Sequence, residues 1–428
     1  MNRSIIMMCC IVIIAGMLAG CSKENPKPPE PIVLKIMVDN KALFGYESII
    51  RSKFPHITLE VIDAMPAQII QPEDENIFEG VNQRLRNLIQ SEEPDMFFRF
   101  QPENIADNVG LVDLEPLIKR DNYELNEIQQ YLVESTKRLN DSIIGMSPTF
   151  ERRVLFVNRK LFQQLGIAEP ETELSWSEFR QWAARFSVLE ANNKPVYGYY
   201  LGSNHWRMML EIVGDIHSMQ ILNSEGQLVL DQPTWRELAE GLIADYKNGT
   251  LLMDEQVFEI DNMKQTAMFI GGSNELATLL LSNESEADWT IAPMPVDPRN
   301  PQGSPLAPNG LFSINRSSGH VEEAWEIIKY LNSVEAAPHI AESLYYPHLM
   351  THLSFTPSGS FNIEAFTANI GTPGNEYKAP PVGTAKQNQL AQAIVEELNA
   401  AAKEQKTFEE AWEELLNRSR ALLQASSD

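Results

Sequence analysis

Cysteine is scarce: the chain has three in 428 residues, at positions 9, 10 and 21. All of them precede the first stretch able to enter a folded core, so no disulfide framework can hold the fold. Stability must come from a packed interior, which a chain of this length can bury. Long apolar runs are missing as well, and the run over residues 5–17 is short for a membrane span. Positive charge is sparse: 34 Lys and Arg stand against 59 Asp and Glu, for a net charge of −25. That balance argues against nucleic acid or an anionic membrane surface as partner, and a well-solvated surface is its ordinary consequence. Catalytic signatures are absent too. There is no H-E-x-x-H, no G-x-S-x-G, no phosphate-binding P-loop and no G-x-G-x-x-G. His348 and His352 stand four apart, but no carboxylate or thiolate near them completes a ligand set, so no metal is expected. No spacing singles out a carboxylate pair for glycoside hydrolysis. No cofactor motif and no internal repeat is present.

The beginning of the chain is informative. Arg3 and the apolar run 5–17 are followed by Leu18-Ala19-Gly20-Cys21. This resembles the lipobox of bacterial lipoproteins. The resemblance implies a signal peptide over 1–20 and a lipid on Cys21; an uncleaved anchor is the alternative. The polar, Pro-rich stretch 21–31 then reads as an extended tether.

The stretch 145–186 organises the remainder. Residues 154–157 form a short apolar run that reads as a buried strand, ended by Asn158. A short helix over 160–165 should stop at Gly166. Ser175 and Glu178 are spaced as a capping box, and Trp176, Phe179, Trp182, Ala183 and Phe186 recur at helical spacing behind it. Further capping boxes are predicted at Thr234/Glu237 and Thr407/Glu410. This order resembles the extracellular solute-binding proteins of ABC importers, in the family related to maltose-binding protein. Pro148, Phe156, Asn158, Lys160, Phe162, Gly166, Trp176, Glu178 and Phe179 fall on its pattern, while Val157 stands where that family usually has Tyr. Pro94-Asp95, the 110–118 segment, the 266–272 strand and loop, residues 288–295 and Ala324-Trp325 extend the resemblance. Residues 334–384 match it poorly.

Strands alternating with helices predict an α/β protein with mostly parallel sheets flanked by helices. The resemblance implies a two-lobed periplasmic-binding-protein-like fold (type II) with the ligand cleft between the lobes. Lobe one is expected over 32–142 plus 292–320, and lobe two over 143–291 plus 321–428. Hinge crossings are expected near Ile143-Ile144, Ile291-Ala292 and His320-Val321. Ligands of open α/β sheets sit at the carboxyl ends of strands. The loops there hold Asp39, Arg99, Gln101, Gly202, Ser203, His205, Gly271 and Asn274. The expected ligand-binding set is Asn40, Phe100, Phe150, Glu151, Asn204, Trp206, Arg207, Gly272, Ser273 and Asn309. Aromatics beside amides and charges suit a sugar, whose faces are apolar and whose edges are hydroxyls. Core packing is the competing role for each aromatic.

The resemblance implies a non-enzymatic, monomeric, lipid-anchored binding protein on the outer face of the cytoplasmic membrane. It would capture a small solute, foremost an oligosaccharide, and deliver it to the permease subunits of an ABC importer. Two alternatives stay open: an exported glycan-active lipoprotein enzyme, and a sensor or scaffold of the same fold.

Overall fold

The computed structural model describes residues 30–65, 77–100, 110–170, 173–187, 189–191, 194–203, 205–253, 264–281, 289–299, 301, 304–345, 347–371 and 384–424. The expected signal peptide, Cys21 and Asn204 lie outside them. Strands β1 (Ile32–Val38), β2 (Ile57–Asp63) and β3 (Met96–Phe98) come first, followed by helix α1 (Glu127–Asn140). Next are β4 (Thr149–Glu151), β5 (Val154–Asn158), α2 (Trp176–Ala183), β6 (Tyr197–Tyr200), α3 (Trp206–His217) and α4 (Pro233–Lys247). Then come β7 (Thr266–Gly271), α5 (Ser273–Leu281), β8 (Trp289–Ala292), β9 (Ala307–Pro308) and β10 (Phe312–Ile314). Helix α6 (Val321–Leu331), β11 (Leu349–Met350), α7 (Thr384–Ala402) and α8 (Phe408–Gln424) complete the main elements.

Two four-stranded sheets carry the lobes. In the first, β1 runs parallel to β2 and β3, and β10 joins β3 antiparallel, giving the order β10-β3-β1-β2. In the second, ordered β8-β5-β7-β6, β6 and β7 are parallel but β5 opposes both of its neighbours. The second sheet is therefore mixed. A parallel neighbour needs a crossover connection. β5 and β10 instead arrive directly from the other lobe, and both run against their partners.

Local chemistry explains the elements around β5. All five of its residues are buried. Asn158 then caps the next helix by accepting from Leu161 N, and Gly166 ends that helix at φ 64°. The Ser175/Glu178 box forms with both reciprocal bonds. So does Thr407/Glu410. Thr234/Glu237 does not, because Pro233 already occupies the first turn of α4 and Gln232 is the N-cap. Proline suits that position, where its missing N–H has no partner to lose.

The hydrophobic core has separate parts. Leu34, Ile36, Phe98 and Phe312 pack with Trp325, Ile328 and Leu331 of α6 under the first sheet. Phe162, Phe179, Trp206, Trp235, Ile394 and Trp412 fill one side of the second sheet. Phe150, Phe156, Phe269, Trp289 and Phe366 fill its other side. Met146 belongs to the first of these clusters and Phe150 to the last; Leu306 to the last and Phe312 to the first; Met350 to the first and Leu349 to the last. Beyond α1, which places Ile128, Tyr131 and Leu132 in the last cluster and Val133 in the first, the described chain changes core three times, each time at a strand of one small sheet, β9-β4-β11. The first crossing lies a few residues beyond Ile143-Ile144. The crossings expected at Ile291-Ala292 and His320-Val321 fall instead at 306–312 and 349–350. The second moves because β8 pairs with β5 and buries Trp289 and Ile291 with Leu306 in the last cluster. The third moves because the stripe Trp325, Ile327, Ile328 and Leu331 buries α6 on the first sheet and keeps 321–340 in lobe one.

Candidate functional site

A cavity of about 910 Å³ opens where the β9-β4-β11 sheet meets both lobes. Strand β4, the segment 304–309 that includes β9, and His348 just before β11 form its hinge wall. Lobe two supplies the Gly271–Glu275 turn and one face of α3 bearing Arg207, Glu211 and Asp215. Those three lie four apart, which stacks them along one side of a helix. Among the described residues, the first sheet contributes Arg99, which follows β3 at φ 66°.

Glu151 is the centre of the hinge wall. Its Oε1 accepts from Ser273 Oγ at 2.5 Å and from Asn309 Nδ2 at 2.9 Å, and Oε2 accepts from Ser273 N at 3.4 Å. Ser273 opens α5, so the carboxylate also meets the positive end of that helix. Burial nevertheless raises its pKa above the usual carboxylate value, with Glu275 adding to the rise. Asn309 Nδ2 reaches His348 Nδ1 at 2.8 Å as well. An amide nitrogen donates only, so His348 accepts at Nδ1 and carries its proton elsewhere. Burial first, and the charge of Arg99 second, hold His348 down to about 4, which keeps it neutral. Side chains therefore tie all three crossing segments to lobe two in one connected set.

The arginines of the cavity are occupied. Arg99 pairs with Asp39 at 3.5 Å, Arg153 with Asp215 at 3.2 Å and Arg207 with Glu211 at 3.0 Å. Arg152 is buried and spends its guanidinium on the carbonyls of Ser304, Phe366 and Ala368. Gly310 has φ +90°, and a Cβ there would lie 2.4 Å from Arg99 Cγ. Only glycine suits that backbone and lets Arg99 pack so close to the hinge. No group of three metal-ligating side chains is found among the described residues.

Glu151, Arg207, Gly272, Ser273 and Asn309 of the expected set line the cavity. Four others do not. Phe150 is fully buried in the lobe-two core, because β4 alternates and turns Glu151 to the cleft but Phe150 away from it. Trp206 is also fully buried; its Nε1 donates to Asn399 Oδ1 at 2.9 Å, and its ring meets Tyr246 edge-on at 5.9 Å. The polarity of His205 and Arg207 is misleading, since α3 turns its first residue inward. Asn40 caps a short turn by accepting from Ala42 N. Phe100 packs edge-on against Phe97 at 6.3 Å. The residues missed include His348, set aside with its metal spacing, and the run 304–308. Their link to Glu151 is across 150 residues and more, and no local signal announces it.

No curated protein matches the chain. Solved structures share its fold. An extracellular solute-binding protein, family 1, from Alicyclobacillus acidocaldarius aligns over 93% of this chain and 100% of its own, with TM-score 0.68 and 14% identity. The sugar-binding protein MalE of Xanthomonas citri gives TM-score 0.65 over 92% of this chain and 97% of its own, at 16% identity. An ABC substrate-binding protein of Listeria monocytogenes in complex with cycloalternan gives TM-score 0.61 over 92% and 99%, at 17% identity. The model of the family described as bacterial extracellular solute-binding protein matches residues 78–338, more than half of the chain, and the protein belongs to that family.

Proposed function

We propose that this protein is a lipid-anchored substrate-binding component of an ABC importer that captures an extracellular oligosaccharide by hinge closure and passes it to a permease. One observation carries the reading: the cavity lies on the small sheet at which the chain changes core. A ligand there touches both lobes and the hinge, so closure is favoured by its contacts to each. Glu151, Arg207, Gly272, Ser273 and Asn309, with Arg99 and His348, are the proposed contacts. Hydroxyls and amides suit the mixed donors and acceptors of this wall. The Listeria protein holds cycloalternan and a Thermotoga maritima relative holds maltose, which supports a sugar as ligand. Cys21 supplies the anchor.

The test is calorimetric titration of the mature protein with maltotriose, cycloalternan and a panel of neutral oligosaccharides, with chromatography of the mixtures afterwards. Binding without change in the glycan is expected. At about a hundred times its Kd, a ligand should add roughly 2.7 kcal/mol of stability. Cleavage of the glycan would establish the enzyme alternative, and silence across the panel would overturn the sugar reading.

A further inference from the structure

The charges of the cavity are unequally spent. Arg99, Arg153 and Arg207 each face a carboxylate partner, and Arg152 lies within the field of Glu173 while its donors go to carbonyls. Glu151 is different. Its three donors are two from Ser273 and one from Asn309, all neutral. Arg99 is felt there, but that guanidinium is directed to Asp39. Glu275 stands beside it and accepts from Gly272 N at 2.7 Å. Both acids reach one place: a Cβ on Gly272 would lie 3.5 Å from Glu151 Oε2 and 4.0 Å from Glu275 Oε2. The absence of a side chain at Gly272 leaves that place to the cavity. Two carboxylates whose hydrogen-bond donors are all neutral, in a partly desolvated wall, are a costly arrangement without a cation between them. The net charge of −25 also draws cations toward the molecule and repels anions.

We infer that the cleft selects an amino sugar: an oligosaccharide whose ammonium group docks between Glu151 and Glu275 over Gly272, with Ser273 and Asn309 holding Glu151 in place. The inference rests on the oligosaccharide reading and narrows it. Neutral hydroxyls can still occupy the remainder of the cavity. Anionic sugars are disfavoured.

The decisive experiment compares three trisaccharides by calorimetry, in buffer acidic enough to protonate free amines. They are the glucosamine trimer, its N-acetylated counterpart and trigalacturonate, with the neutral panel as reference. The glucosamine trimer should bind at least about tenfold more tightly than the N-acetylated one, as a close charge pair in a cleft provides. Added salt should narrow that gap. Glu151→Gln and Glu275→Gln should each erase most of it, while the melting temperature without ligand does not fall below that of the parent. An N-acetylated or anionic trimer that binds as well as the amine, or a gap that survives both substitutions, overturns the inference. If a neutral sugar binds and the glucosamine trimer does not, the inference falls and the oligosaccharide reading stands. If no sugar binds, both fall.

Discussion

Trp206 opens α3 one residue after a polar loop, yet its ring lies wholly within lobe two. A tryptophan at such a loop suggests a platform for a sugar ring; the burial assigns it to packing. Trp206→Ala should therefore cost about 3–5 kcal/mol in ligand-free stability, through the cavity left behind and the loss of the donor to Asn399. Urea unfolding measures this directly, and a loss below about 1 kcal/mol would contradict the core assignment. His348 supplies a second test at this scale. Folded, it is held at about 4; unfolded, it returns to about 6.5. Between those values the unfolded chain binds the extra proton, so His348 makes stability fall as pH drops from about 6.5 toward about 4. Glu151 acts in the opposite sense, since its raised carboxyl holds a proton in the folded state above its ordinary value of 4.5. His348→Asn should flatten the decline seen across that window by the parent protein. Unfolding midpoints taken along a pH series would show it, and parallel curves for the two proteins would refute it.

At the scale of the element, the capping boxes separate what spacing shows from what geometry decides. Ser175/Glu178 and Thr234/Glu237 look alike in sequence. The first closes both bonds, and the second is displaced by Pro233. Ser175→Ala should thus cost about 1 kcal/mol. Thr234→Ala should change stability by less than about 0.5 kcal/mol. Chemical denaturation of the pair tests the distinction, and equal losses would restore the second box. Elsewhere the short apolar runs at β1, β5 and β7 and the glycine stop at Gly166 were readable because each depends on neighbours within a turn or two. The direction of β5 within its sheet was not, since a strand's own residues do not state which partner it will oppose.

The whole molecule is two lobes joined by a three-stranded sheet, with the cavity resting on that sheet. Saturating ligand should reduce the radius of gyration in small-angle X-ray scattering, because closure brings the lobes together over the cavity. An unchanged curve with ligand bound would exclude closure. Substituting Gly310 with Ala should blunt the response, since a Cβ at that position meets Arg99 within 2.4 Å.

By itself the sequence determined the family pattern, the helices with strong caps, the buried strands, and an interior built without disulfides. It also pointed to five residues that line the cavity, Glu151, Arg207, Gly272, Ser273 and Asn309, because residues beside strand ends are local features. Tertiary structure alone decided that Phe150 and Trp206 face inward while Glu151 faces the cleft. The side a residue presents is set by the sheet or helix packed against it, and a shift of one position reverses it. It alone moved the second and third crossings, since β8 could have joined either sheet until it paired with β5, and the apolar stripe of α6 could have served either lobe until the first sheet received it. And it alone joined Glu151 to Asn309 and His348: hydrogen bonds across 158 and 39 residues exist only once the three crossing strands lie side by side.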